Sequence, residues 1–111
     1  MRPYAFLPLL ALAVPLVLRA EAPVSEENHA QFEKKFAAMC VEKEKKDLEG
    51  SGVLLSEVES LCACIAKEES KRVTSGEIRE YVFENQYPAS LMMKSNAATY
   101  TCVEQQKAKT P

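Results

Sequence analysis

The stretch CVEKEKKDLEGSGVLLSEVESLCAC, residues 40–64, decides the fold. It opens on Cys40 and closes on the pair Cys62 and Cys64, with Gly50-Ser51-Gly52 halfway between. Two glycines so close together stop a helix, because glycine adopts the left-handed backbone that ends one. On the N-terminal side, Phe32, Phe36, Met39, Cys40 and Lys43 fall at i, i+4, i+7, i+8 and i+11. That is one face of a helix, apolar until it meets the charged run Glu42 to Asp47. Ser25, followed by Glu26 and Glu27, is a good start for it, so the spacing predicts a first helix over roughly 25–48. On the C-terminal side Leu54, Val58, Leu61, Cys62 and Ile65 make a second stripe. Ser56-x-x-Glu59 reads as its capping box, and it should run to about Arg72. A short Gly-rich connection between two helices makes an antiparallel hairpin.

The hairpin restricts the cysteines. Folded about Ser51, it brings Cys40 level with Cys62; folded about Gly52, it brings Cys40 level with Cys64. Residues two apart on a helix point about 200° from one another. Cys62 and Cys64 are thus placed to bond different neighbours, one on the first helix and the other at Cys102. Both pairings, 40–62 with 64–102 and 40–64 with 62–102, satisfy the spacing. Either makes the second helix a central strut stapled on two sides.

Working outward, Val73 to Glu77 breaks the pattern, and Thr74-x-x-Glu77 is another capping box. A short third helix through Ile78, Tyr81, Val82 and Asn85 follows, ended by Tyr87-Pro88, since a residue before proline avoids helical geometry. Ser90 is placed to cap a fourth helix carrying Leu91, Lys94, Ala98, Cys102 and Gln105. The expected architecture is all-α: a single four-helix, disulfide-stapled domain over residues 25–107, with 108–111 as a frayed tail.

The first 22 residues, MRPYAFLPLLALAVPLVLRAEA, have a different composition. Arg2, an apolar run from Phe6 to Leu18, and the small residues Ala20 and Ala22 read as a signal peptide cut after residue 20, with residue 22 as the alternative. The run is shorter than the roughly 20 residues a membrane span needs, and Pro8 and Pro15 interrupt it. Cleavage after Ala20 removes Arg2 and Arg19 and no acid, taking the net charge from −2 to −4. An acidic domain with interspersed charges offers no footprint for nucleic acid or for anionic lipid. Four cysteines, Cys40, Cys62, Cys64 and Cys102, in a short exported chain read as a disulfide framework in a periplasmic or secreted protein.

Chemistry finds little purchase in the sequence. His29 is the single histidine, near the start of the first helix, and is expected to be solvated. No phosphate loop, H-E-x-x-H or G-x-S-x-G occurs. The acids lie beside lysines on charged helix faces, so no carboxylate pair with separated pKa values is expected. No catalytic residue, cofactor or metal is assigned, and the chain is read as a non-enzyme. The alternative is thiol-redox or copper handling through Cys62-Ala63-Cys64, with Met92-Met93 as soft ligands. Against it, Glu57, Glu59, Glu68 and Glu69 raise a nearby thiol's pKa, and the second pair of ligands that a zinc site needs is missing.

The order Cys40, Cys62-Ala63-Cys64, the Thr74-Ser75-Gly76-Glu77 helix start and a distant Cys102 resembles small exported Gram-negative proteins of unknown function that share a C…C-x-C…C layout. The resemblance covers most of the mature chain and implies a periplasmic location. A rigid helical domain of this kind is expected to bind another envelope protein, as an inhibitor, an immunity-type protein or an accessory subunit.

Overall fold

The computed structural model describes residues 23–109; the expected signal peptide lies outside the described residues. Four helices and no strand make up the described chain. Helix α1 spans Glu26–Asp47, α2 Leu55–Ser70, α3 Ser75–Ile78 and α4 Ala89–Lys109. A π-helical turn, Arg79–Phe83, continues α3. Its closing bond runs from the Glu84 N–H to the Arg79 carbonyl, five residues back.

Local chemistry accounts for most of the boundaries. The Ser25 side chain accepts from the Asn28 N–H at 3.1 Å and starts α1. Gly50 and Gly52 sit at φ of +80° and +86°, which lets the chain reverse between α1 and α2. At the head of α2 the structure departs from the expected cap. Leu54, not Ser56, is the N-cap, and the Glu57 carboxylate accepts from the Leu54 N–H. Ser56 lies one residue inside the helix, exposed. The Thr74–Glu77 box forms in full, at 3.0 and 3.1 Å. Ser90, expected to cap α4, lies inside that helix, and its hydroxyl donates to the Glu77 carboxylate instead. Helix α4 extends to Lys109.

The disulfides are Cys40–Cys62 and Cys64–Cys102, with Cα atoms 5.7 and 6.0 Å apart. The hairpin therefore folds about Ser51, the first of the two registers the spacing permitted. Helix α1 packs along one side of α2 and α4 along another, and α1 and α4 barely meet. The core gathers Phe32 and Phe36 of α1, Ile65 and Ala66 of α2, Ile78 and Tyr81, and Leu91 and Ala98 of α4. An aromatic ladder crosses it: Phe36 stacks on Phe32, Phe32 meets the edge of Tyr81, and Tyr81 meets Tyr87, each at 5.5–5.7 Å between centroids. Burying each such ring contributes roughly 2–3 kcal/mol.

Candidate functional site: a carboxylate pair behind an apolar groove

The stripe on α2 that forms the hairpin interface does not end with Ile65. Val58, Cys62 and Ile65 are followed at the same helical spacing by Glu69, and all four side chains are buried. Glu69 has no exposed surface. Among the described residues, its two carboxyl oxygens are the buried side-chain polar atoms without a hydrogen-bond partner. The Ser95 hydroxyl comes near enough to lower the Glu69 pKa somewhat, without reaching hydrogen-bond geometry. Burial, and after it the charge of Glu77, push the Glu69 carboxyl up to about 7.

Glu77, 6% exposed, stands in the opposite condition. Its carboxylate accepts from Lys94 Nζ at 2.7 Å, from the Ser90 hydroxyl and from the Thr74 N–H at 3.0 Å. Burial alone would raise its pKa, but these donors and the Lys94 charge outweigh it and hold the group below the usual carboxylate range. One side chain thereby ties the α3 cap to the first turns of α4.

This pair overturns the expectation that every acid lies on a charged face. Charge counting hid it, because Lys67, Glu68, Glu69 and Lys71 look like one solvated run. The signal that finds Glu69 is periodicity: it lies eleven residues after Val58 and four after Ile65, on the apolar face. A second correction concerns His29. Its Nδ1 lies 2.7 Å from the Ser70 hydroxyl, pinning the start of α1 to the end of α2, so the ring is a structural contact and not merely solvated.

Between α1 and α4 lies a groove of about 420 Å³. Leu61 and Ile65 of α2 form its floor, Phe36 and Met39 one wall, and Met92, Ser95 and Tyr87 the other. Ser95 and Tyr87 also interact with Glu69, which lies one turn beyond Ile65 on α2 and does not itself line the groove. The Tyr87 hydroxyl donates to the Leu91 carbonyl at 3.4 Å and also lies beside Ser95. Tyr81 is fixed more firmly. Its carbonyl accepts from Lys35 Nζ at 2.7 Å, its hydroxyl donates to Met39 Sδ, and burial raises its pKa to about 12.

Two carboxyls with separated pKa values are the raw material of acid–base chemistry. Here neither is open to a substrate atom: Glu69 is sealed and Glu77 is saturated with donors. Cys62 and Cys64 are brought together only through α2, each bonded to a different helix, and no described cysteine is free. Met92 and Met93 are exposed, and the sulfurs of the C-x-C are committed to the staples. No group of three or more His, Cys, Asp or Glu suited to a metal ion occurs among the described residues. No described helix is long and apolar enough to cross a membrane.

The class defined by this geometry is an all-helical domain, doubly stapled through its central helix. Compared with protein families, curated proteins and solved structures, the chain finds no match in any of the three.

Proposed function

We propose that this chain is an exported, non-enzymatic helical module that binds another envelope protein, as an inhibitor, an immunity-type protein or an accessory subunit. The observation that carries this reading is the outer face of α4. From Ala89 to Val103 the only charged residue is Lys94, and its ammonium is engaged by Glu77. Met93 and Tyr100, three-quarters and two-thirds exposed, flank the small Ala97 on that face. Helix α1, by contrast, presents Glu or Lys at most of its exposed positions. Uncharged surface rich in methionine and tyrosine is the composition of interface cores, where charged residues are depleted. The occupant it suits is a protein surface that is itself apolar and uncharged.

Two further features support the reading. Two disulfides are compatible with an oxidising, exported location. Stapling on both sides of α2 also holds α4 in place before a partner arrives, which lowers the ordering cost of binding. The resemblance to exported C…C-x-C…C proteins agrees with this location and adds no ligand.

The test is capture from envelope extract, with a photo-cross-linker at Tyr100 of the mature protein. A discrete adduct is expected, lost in Met93→Glu and retained in Lys34→Gln, a change at an exposed position of α1. No adduct, or one indifferent to Met93→Glu, would refute the reading.

A further inference from the structure

Glu69 continues, one turn further along α2, the floor that Leu61 and Ile65 give the groove. A buried carboxyl with neither oxygen bonded is costly, and removing it should stabilise the fold unless something else uses it. The local cation cannot serve both acids, because the Lys94 ammonium is bound to Glu77 at 2.7 Å. Glu69 does not itself line the groove, but Ser95 and Tyr87, which do, are among the groups that interact with its carboxyl. Tyr87 lies in the segment between the π-helical turn and α4, its ring against Tyr81 and its hydroxyl donating to the Leu91 carbonyl at 3.4 Å.

We propose that the groove between α1 and α4 binds a small apolar amine, its hydrocarbon chain along Phe36, Leu61, Ile65 and Met92 and its ammonium on Glu69. This goes beyond the protein-binding reading and uses a different surface, since Met93 and Tyr100 lie outside the groove. The complementarity is specific to a cation. An ammonium supplies both the charge and the hydrogen-bond donors the Glu69 oxygens lack. A carboxylate ligand would bring a third negative charge beside Glu69 and Glu77. A neutral alcohol could donate one bond but leave the charge uncompensated. About 420 Å³ falls within the ~300–1,000 Å³ usual for small-molecule sites. Met39 and Met92, with flexible thioether side chains, let the walls adapt to chains of different shape. The ammonium reaches Glu69 by displacing the Tyr87 ring and the Ser95 hydroxyl, and a Glu69 that held a proton releases it to solvent.

Calorimetric titration of the mature protein with octylamine, octanol and octanoate tests this. Octylamine should bind about tenfold or more tighter than octanol, the worth of one charge-assisted hydrogen bond, and octanoate should not bind measurably. Glu69→Gln should level amine and alcohol while leaving the alcohol's affinity unchanged. Met92→Lys, at the exposed rim, should weaken the amine more than the alcohol, since both lose apolar contact and only the amine meets a like charge, and it remains informative if Glu69→Gln fails to fold. Equal binding of all three ligands, no binding of the amine, or an amine preference that survives both substitutions would overturn the proposal.

Discussion

The two ends of this molecule are held together by different chemistry. At the end nearer the Gly50–Gly52 turn, Cys40–Cys62 and Cys64–Cys102 clamp α1 and α4 to α2 through covalent bonds. At the other end, where α3 and the π-helical turn pack, there is no staple. Donors converge on Glu77, Lys35 holds the Tyr81 carbonyl and the Asn85 side chain, and the aromatic ladder fills the remaining space. The covalent end is indifferent to pH and sensitive to reductant; the polar end reverses both. Tyr87 and Ser95, which line one wall of the groove, belong to the unstapled end.

The largest effect should come from cutting the clamp. Replacing Cys64 and Cys102 together with alanine opens a loop with a sequence separation of 38 and should cost about 4 kcal/mol, read as a fall in urea midpoint. Replacing Cys40 and Cys62, with a separation of 22, should cost slightly less. The loss should be the same in mildly acidic and neutral buffer. A loss that varied strongly with pH would show that the two ends are not independent.

Next in size is the unstapled end. Lys94→Met removes the charge that compensates Glu77 and leaves a mostly buried carboxylate beside Glu69. Breaking a buried pair costs roughly 3–5 kcal/mol, and the partial exposure of Lys94 brings the expected loss to about 3 kcal/mol. Lys94→Met with Glu77→Gln should recover part of it. If the double variant is no more stable than the single one, the Glu77 charge is not what Lys94 answers.

How far the sequence foretold this arrangement follows the same division. The stapled end was legible because its signals are local and strong: two glycines, two apolar stripes at helical spacing, and cysteines whose directions a 3.6-residue period dictates. Only the register, one residue of hairpin offset, needed three dimensions. The polar end was not legible from composition. Glu69 is chemically identical to Glu68 beside it, and only its angular position puts it inside. Ser90 could cap α4 or reach Glu77, and distance between helices decided for Glu77. His29 meets Ser70, 41 positions away, a contact no local pattern encodes. The π-helical turn carries Tyr81, whose ring meets Phe32 49 positions earlier, and no local pattern in the sequence marks it.

The smallest effect is also the one that isolates Glu69. The groups facing it are Glu77 from α3, Tyr81 from the π-helical turn, Tyr87 from the following loop, and Lys94 and Ser95 from α4. In the unfolded chain Glu69 titrates near 4.5, and in the folded protein near 7. Below the lower value both states hold the proton and the difference vanishes. Between the two, only the folded protein holds it, so raising the pH draws the equilibrium toward the unfolded chain. Stability should therefore fall from about pH 5 to about pH 7 by on the order of 2 kcal/mol, then level off. Glu77 has the opposite sign: its folded pKa is depressed, so its contribution is complete above the unfolded value and is lost only on further acidification. The two together place the stability maximum near pH 5, on the acid side of neutrality. Urea unfolding of Glu69→Gln at the same pH values should erase the fall between pH 5 and 7 and leave the acid limb intact. A wild-type protein equally stable across that range would mean that Glu69 finds a partner when it ionises, and the contrast between the two ends would then rest on Glu77 and the aromatic ladder alone.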